Sequence, residues 1–353
     1  MDTFDYIIVG AGSAGCVLAN RLSEDPAVRV CLIEAGPVDK NPLIHAPFGF
    51  SLMAENKKIN WCFETIPQQQ MNGRRGYQPR GKVLGGSSSV NAMVYIRGTP
   101  ADYDRWAEAG ASGWSYRDVL PYFKRSQDQE RGEDEFHGTG GPLAVTDLRY
   151  KNPLSQMFVA AAEQVGLPAN DDFNGQSQEG VGFYQVTQRD GRRCSAAAAY
   201  LAPVMGRNNL TVVTGAQVDK LVIENKRAVG VEYHNGDRAV RLIANREVLL
   251  SAGALQSPQL LMLSGIGPAA HLQEHGIEVV HSSPEVGENL QDHFDYTVIR
   301  RVRSSQAMGY TLSRALRAIP DYLQYRRGKG PFTSNLAEAG GFLRTSSEEP
   351  APD

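Results

Sequence analysis

The chain has 353 residues, with 36 lysines and arginines against 39 aspartates and glutamates and 41% hydrophobic residues. A formal net charge of −3 lacks the basic surface that phosphate-backbone contacts demand, which excludes a nucleic-acid partner. No run of about 18 apolar residues occurs, so no helical membrane span is expected, and the length suits two domains or one elaborate one. The four cysteines, Cys16, Cys31, Cys62 and Cys194, show no CxxC or CxxxC spacing and read as reduced side chains rather than disulfides or metal ligands. Residues 1–6 carry two aspartates and no basic region, unlike a signal peptide, so a cytoplasmic location is expected.

In chain order, residues 4–10 read as a strand buried on both faces. A helix from 13 to about 24 follows, expected to bury Val17, Leu18, the stem of Arg21 and Leu22, and residues 28–34 form a second, parallel strand. This is a βαβ opening of about 30 residues. Residues 36–98 show no strong periodicity, and so long an irregular stretch is usually functional. Helices are predicted over 100–109, 115–126 and 153–165. Residues 181–187 alternate like an antiparallel strand and run into the turn Asp190-Gly191. Ser195 is placed to cap a short helix over 196–201.

Four or five short strands follow, at 210–214, 218–224, 228–234, 238–243 and 247–251, with Asn235-Gly236-Asp237 as a hairpin turn. Helices over 258–264, capped by Ser257 with Pro258 first, and over 268–275, between Pro268 and Gly276, come next. An arginine-rich helix over about 311–327 and a solvated tail over 346–353 complete the chain. The elements make an α/β protein, α+β overall: a Rossmann-like FAD/NAD(P)-binding domain with an inserted antiparallel-sheet domain.

Gly10-Ala11-Gly12-Ser13-Ala14-Gly15 is a GxGxxG turn between a buried strand and a helix. The first glycine permits the tight turn, the second lets a pyrophosphate reach the backbone, and the third lets helix pack on sheet. The free amides of the helix N-terminus then hold phosphate. Glu34 ends the second strand 19 residues after Gly15, where an acid bonds a ribose 2′-hydroxyl and repels a 2′-phosphate. The motif fits NAD and FAD alike, since both carry an adenosine diphosphate half.

The most specific stretch is Arg80-Gly81-Lys82-Val83-Leu84-Gly85-Gly86-Ser87-Ser88-Ser89-Val90-Asn91-Ala92-Met93-Val94-Tyr95. Two glycines and three serines in a row oppose helix and strand and instead offer amides and hydroxyls to a polar ligand. Residues 81–95 resemble the first signature of the glucose–methanol–choline (GMC) oxidoreductase family, which binds FAD. Residues 253–267, beginning Gly253-Ala254-Leu255-Gln256-Ser257-Pro258, resemble its second, and Val286-Gly287-Glu288-Asn289-Leu290-Gln291-Asp292-His293 a third recurrent block. Segments 41–45 and 180–188 look most like the bacterial alcohol and choline dehydrogenases of that family.

The resemblance implies that Gly10, Gly12, Ser13, Ala14 and Gly15 hold the pyrophosphate and Glu34 the adenosine ribose. It places Val83, Gly86, Ser87, Asn91, Ala92, Met93 and Val94 along the flavin, and Val218, through its backbone, at the adenine. Relatives that attach flavin covalently carry His where this chain has Val90, so FAD is expected to be non-covalent. The family pattern has a basic residue where Ala198 stands. The implied domains are 1–148 with 211–297 for FAD, and 149–210 with 298–353 for substrate.

The implied reaction is oxidation of a primary alcohol by hydride transfer to flavin N5, with a quinone or other non-oxygen acceptor. Choline dehydrogenase and alcohol oxidase are the neighbouring alternatives, a non-catalytic FAD-binding fragment is the alternative of another class, and a nicotinamide enzyme leaves residues 80–94 unexplained. The family's catalytic His and its His or Asn partner lie in a C-terminal portion expected beyond Asp353, so the chain is read as an N-terminal fragment. His271 and His275 lack the HExxH order, and no metal site is expected. Asp292-His293 is given a structural role. Arg314, Arg317, Arg326 and Arg327 form a basic face, read as solvated or, alternatively, as a peripheral contact with the inner membrane.

Overall fold

The computed structural model describes residues 2–235, 238–293, 295–302, 304, 312–349 and 351–353. The chain forms two compact units, one of Met1–Lys40, Met53–Val90 and Ser195–Ile299, the other of Asn41–Leu52, Asn91–Cys194 and Arg300–Asp353. Sequence alone put boundaries at 148/149 and 210/211. Residues 91–148 group with the second unit because Val94 and Thr146 both bridge Val186. The buried Arg97 guanidinium also donates to Gln127 Oε1 and the Phe136 carbonyl, each at 2.7 Å. Residues after 195 join the first unit, where Asn20 Nδ2 donates to the Tyr200 carbonyl at 2.7 Å.

The first unit is built on a six-stranded sheet. Its strands are β1 (Thr3–Val9), β2 (Val30–Glu34), β3 (Leu210–Thr214), β4 (Gln217–Glu224), β5 (Arg227–Asn235) and β6 (Arg238–Leu250), in the order β3-β2-β1-β6-β5-β4. β3, β2, β1 and β6 run parallel, while β6, β5 and β4 form an antiparallel meander. The two strands read from 238–243 and 247–251 are one. Its first half pairs with β5, from Asn235↔Arg238 to Gly230↔Ile243, and its second half pairs with β1 up to Val9↔Leu250. An irregularity between Phe4↔Ala244 and Tyr6↔Glu247 inserts one extra residue in β6, and that bulge looks like a break in the polar sequence. The expected turn at Asn235 includes residues 236 and 237, which lie outside the described residues.

Ile7, Val9, Cys31, Ile33, Val231, Leu242 and Leu260 centre one core cluster of this unit. Helix α1 (Ser13–Leu22) buries Gly15, Cys16, Ala19 and Asn20, and Val17, Leu18, Arg21 and Leu22 are only half-buried. Small residues take the inner face because the helix lies so near the β1 turn: a Cβ at Gly15 would stand 1.9 Å from the Gly10 carbonyl oxygen. Helix α2 (Gln256–Leu263) starts two residues before the sequence expectation, with Leu255 at its N-cap. Pro258 then falls in the first turn, where its missing N–H has no intrahelical partner to lose. Ser195 Oγ accepts from the Ala198 amide at 3.2 Å, and Ala197–Leu201 forms a π-helical turn.

In the second unit, helices Pro100–Glu108, Tyr116–Ser126 and Pro153–Gln164 match the predicted segments. Each starts on a polar cap: the Asp102 carboxylate accepts from Thr99 N–H, Asp118 from Ser115 Oγ, and Asn152 Oδ1 from Leu154 N–H. Of the strand expected over 181–187, Gly180–Phe183 forms a strand antiparallel to Ala339–Phe342, and Val186 makes isolated bridges to Val94 and Thr146. A hairpin then joins Gln188–Arg189 to Arg192–Arg193, turning on Asp190 and Gly191 with φ of 52° and 72°. Helix Leu312–Tyr325 lies where the arginine-rich helix is predicted. Among the described residues no helix is long and apolar enough to cross a membrane.

The Gly15 geometry gives a direct test. Gly15→Ala must push α1 off the sheet and should lower unfolding free energy by about 1–3 kcal/mol, as overpacking does. Urea denaturation checks it, and an unchanged midpoint would contradict the packing.

Candidate nucleotide-binding site

A cavity of about 520 Å³ opens in the first unit at the carboxyl ends of β1, β2 and β6. Ligands of open α/β sheets collect at this edge, where helix N-termini and strand ends present free backbone groups. Gly10, Gly12, Ser13, Ala14, Glu34, Gly86, Ser87 and Val218 all stand on its wall. Gly15 and Val83 lie behind it: Val83 is fully buried.

Ala11 anchors the phosphate turn. Its N–H donates to Glu34 Oε2 at 2.9 Å, and its carbonyl accepts from the Gly85 N–H at 2.8 Å. Both backbone polar groups of Ala11 are thus used within the protein. Gly12, next in the chain, has φ −73° and ψ −163°, an extended conformation open to any residue. A Cβ there would meet nothing within 4 Å, so Gly12 is not required by protein packing. It leaves a space on the cavity side that a ligand phosphate can fill.

The second glycine cluster closes on the first. A Cβ at Gly86, whose φ is +53°, would lie 2.7 Å from Gly12 Cα. Gly86–Ser89 is a 3₁₀ turn in which Ser88 and Ser89 spend their hydroxyls on the carbonyls of Gly85 (2.6 Å) and Leu84 (2.7 Å). Of the three serines, Ser87 is the one on the cavity wall.

Glu34 is 6% exposed. Its Oε1 accepts from the Gly36 N–H at 2.9 Å while Oε2 holds Ala11. Burial pushes its pKa above the usual carboxylate range, opposed by the Gly36 and Ala11 amides and then by the charge of Lys82. Each carboxylate oxygen keeps a lone pair for a further donor, such as a ribose hydroxyl.

Trp61, Ser251 and Ala252, which sequence reasoning missed, also line the cavity, as does Arg80, which heads the singled-out glycine–serine stretch but was given no role of its own. Ser251 and Ala252 had a signal, as small residues after an apolar strand end. Trp61 and Arg80 come from the irregular stretch, where periodicity carries no information.

Asn91, Ala92, Met93 and Val94 belong to the second unit. There the Ala92 carbonyl accepts from Asn335 Nδ2 at 2.6 Å and the Met93 carbonyl from Thr187 N–H at 2.9 Å. Asn91 Oδ1 accepts from Met93 N–H and Arg193 Nη1. Asn335 and Gln188 are fully buried, and among the described residues Asn335 Oδ1 and Gln188 Oε1 have no hydrogen-bond partner. Each costs about 1–3 kcal/mol in that condition.

Asp134, His137 and Asp172 bring their ligand atoms within 4.8 Å of one another, yet these groups have other work. His137 Nε2 bonds Asp172 Oδ2 at 3.0 Å, and Asp134 Oδ1 accepts from the amides of Phe136 and His137. His271 and His275 meet edge to face, with ring centroids 4.7 Å apart. Burial pushes the Cys16 and Cys31 thiols up to about 12, and all four cysteines are free. The block around Asp292 and His293 has no regular structure and is exposed over residues 287–293.

A parallel sheet, a GxGxxG turn, an acid at the end of β2 and a cavity at the carboxyl edge define a dinucleotide-binding domain. The GMC oxidoreductase family model matches residues 4–295. An "Alcohol dehydrogenase [acceptor]" of Pseudomonas putida is 51% identical over 99% of this chain and 64% of its own length. An "Oxygen-dependent choline dehydrogenase" of Brucella anthropi is 44% identical over 99% of this chain and 63% of its own length. Formate oxidase of Aspergillus oryzae superimposes with TM-score 0.85 at 29% identity, over 97% of this chain and 62% of that one. An FAD-dependent oxidoreductase of Chaetomium thermophilum gives 0.85 at 31%, over 96% and 61%. The chain belongs to the GMC oxidoreductase family. It spans a little under two thirds of the length of these relatives.

Gly12→Ala separates folding from binding. With nothing for the Cβ to strike, unfolding free energy should stay within about 0.5 kcal/mol of wild type, while the rise in melting temperature on adding ADP should vanish. Retained ADP stabilisation in the folded variant would remove Gly12 from the site.

Proposed function

We propose that this chain binds FAD without a covalent bond and forms part of a dehydrogenase that oxidises a primary alcohol to the aldehyde. The observation that carries the cofactor is the cradle at Gly12, empty of protein on its cavity side and bounded by Gly86, Ser87 and Glu34. Gly10, Gly12, Ser13, Ala14 and Gly15 would meet the pyrophosphate, Glu34 the adenosine ribose and the Val218 backbone the adenine. Val83, Gly86, Ser87, Asn91, Ala92, Met93 and Val94 are assigned to the flavin. The buried, unpartnered amide oxygens of Asn335 and Gln188 beside Ala92 and Met93 support a polar ligand there. In this reading the first unit takes the adenosine diphosphate half of the cofactor, and the second takes the substrate and supplies residues 91–94 for the flavin.

Bound FAD supplies a hydride acceptor for a carbon–oxygen oxidation. The substrate hydroxyl must lose its proton to a base as hydride leaves. The cavity wall of the first unit carries no histidine among the described residues, so this reading places the base outside that wall. The higher identity to the acceptor-linked alcohol enzyme than to the choline enzyme favours a neutral alcohol. Val90 has an alkyl side chain that cannot bond to flavin. Acid precipitation of the yellow protein should therefore leave the colour in the supernatant. A colourless folded protein would count against FAD, and a yellow pellet against the non-covalent assignment.

An acceptor such as a quinone calls for peripheral contact with a bilayer. Ile319, Tyr322 and Leu323 are exposed on helix Leu312–Tyr325, followed by exposed Arg326 and Arg327. The side chains of Arg314 and Arg317 lie outside the described residues. Apolar and basic groups so placed fit an anionic interface. The protein should sediment with phosphatidylglycerol vesicles at low salt and stay in solution with phosphatidylcholine alone. Equal partitioning would remove this surface from the account.

A further inference from the structure

A pyrophosphate carries two negative charges, and backbone amides at a helix N-terminus contribute only partial positive charge to balance them. Two residues with charged side chains line the cavity, Glu34 and Arg80. Glu34 adds negative charge, so a nucleotide entering the cavity would meet a field of the wrong sign without a cation.

Arg80 is built into that position. Its N–H donates to Asn60 Oδ1 at 3.0 Å and its carbonyl accepts from Trp61 N–H at 2.9 Å; Asn60 is itself buried. The backbone is therefore fixed on both sides. The next residue, Gly81, touches the second glycine loop, since a Cβ there would stand 2.2 Å from the Gly86 carbonyl oxygen. Gly86 in turn lies against Gly12, so Arg80 borders the phosphate turn through two close backbone contacts.

The guanidinium is held from one side by neutral acceptors, the Pro79 carbonyl at 2.7 Å and, loosely, Gln78 Oε1 at 3.4 Å. Among the described residues no carboxylate forms an ion pair with it. Its charge is not cancelled within the protein, and the planar fork keeps donors for phosphate oxygens. Lys82 is the other cation nearby, but its ammonium sits over the Trp61 ring, 4.3 Å from the centroid, and it is not on the wall.

We propose that Arg80 is the counter-ion of the bound nucleotide's pyrophosphate, an assignment that rests on the nucleotide-binding reading above. Arg80 would act on binding alone, through charge-assisted hydrogen bonds whose strength falls with added salt.

The test uses the full chain dialysed free of nucleotide, titrated calorimetrically with FAD, ADP and adenosine. Arg80→Gln should weaken FAD and ADP about tenfold, equivalent to about 1.4 kcal/mol, and leave adenosine unchanged. Arg80→Lys should recover part of the loss, and the salt dependence of ADP binding should flatten in Arg80→Gln. Lys82→Gln should leave ADP affinity within about twofold, since a larger loss there with none at Arg80 would reassign the charge. Wild-type ADP affinity in Arg80→Gln overturns the proposal, as does equal loss of ADP and adenosine, which would mark a structural role. A wild-type chain that binds neither FAD nor ADP overturns the nucleotide reading itself.

Discussion

The peptide of Ala11 is held from both sides, its N–H by Glu34 and its carbonyl by Gly85, and the residue is completely buried. Three distant segments meet in those two bonds: the turn after β1, the end of β2 and the second glycine cluster. Gly12, Ser13 and Ala14, which follow Ala11, stand on the cavity wall. The hydrogen bond to Glu34 also means that the acid proposed to meet the ribose already serves the turn proposed to hold phosphate. Removing its carboxylate would free the Ala11 and Gly36 amides at once. The close fit of Gly86 on Gly12 follows from the same anchoring, since any side chain at 86 would lever the two loops apart.

Much of this was legible in the sequence because it depends on local chemistry. GxGxxG between two apolar strands fixes where the cavity lies, and Glu34 stands where the βαβ unit ends. The unusual density of glycine and serine at 85–89 marks a loop that cannot be regular structure. What stayed hidden depends on three-dimensional proximity. The inner face of α1 is made of Gly15, Cys16, Ala19 and Asn20 rather than the larger apolar residues, because distance to the sheet decided the matter and hydrophobicity did not. Trp61 and Arg80 reach the cavity from a stretch whose path no periodicity announces. The serine run also shows a limit of composition: two of its three hydroxyls donate to carbonyls of the loop, and the third, Ser87 Oγ, accepts from the Gly81 amide.

The two units use different means of internal order. The first has a sheet core of aliphatic side chains. The second sets Arg97, Gln127, Gln129, Gln185 and His137, all buried, in one hydrogen-bonded network. Such networks specify a single arrangement because a half-made one is costly. The arrangement also grips residues 91–97, whose backbone is bonded by Gln185, Thr187, Asn174 and Asn335. A segment assigned to the flavin is thereby held by polar bonds of fixed geometry, which apolar contact alone would not give.

Strand β6 pairs with both β1 and β5 of the one sheet in a single run of 13 residues, about 43 Å of extended chain. Its first half is registered to the meander and its second to the nucleotide-binding strands. Because strand side chains alternate faces, a single inserted or deleted residue in either half would exchange core and solvent positions in the other. A change of length is therefore best absorbed outside β6, and the one extra residue that it does carry is taken up in the bulge opposite Phe4–Tyr6.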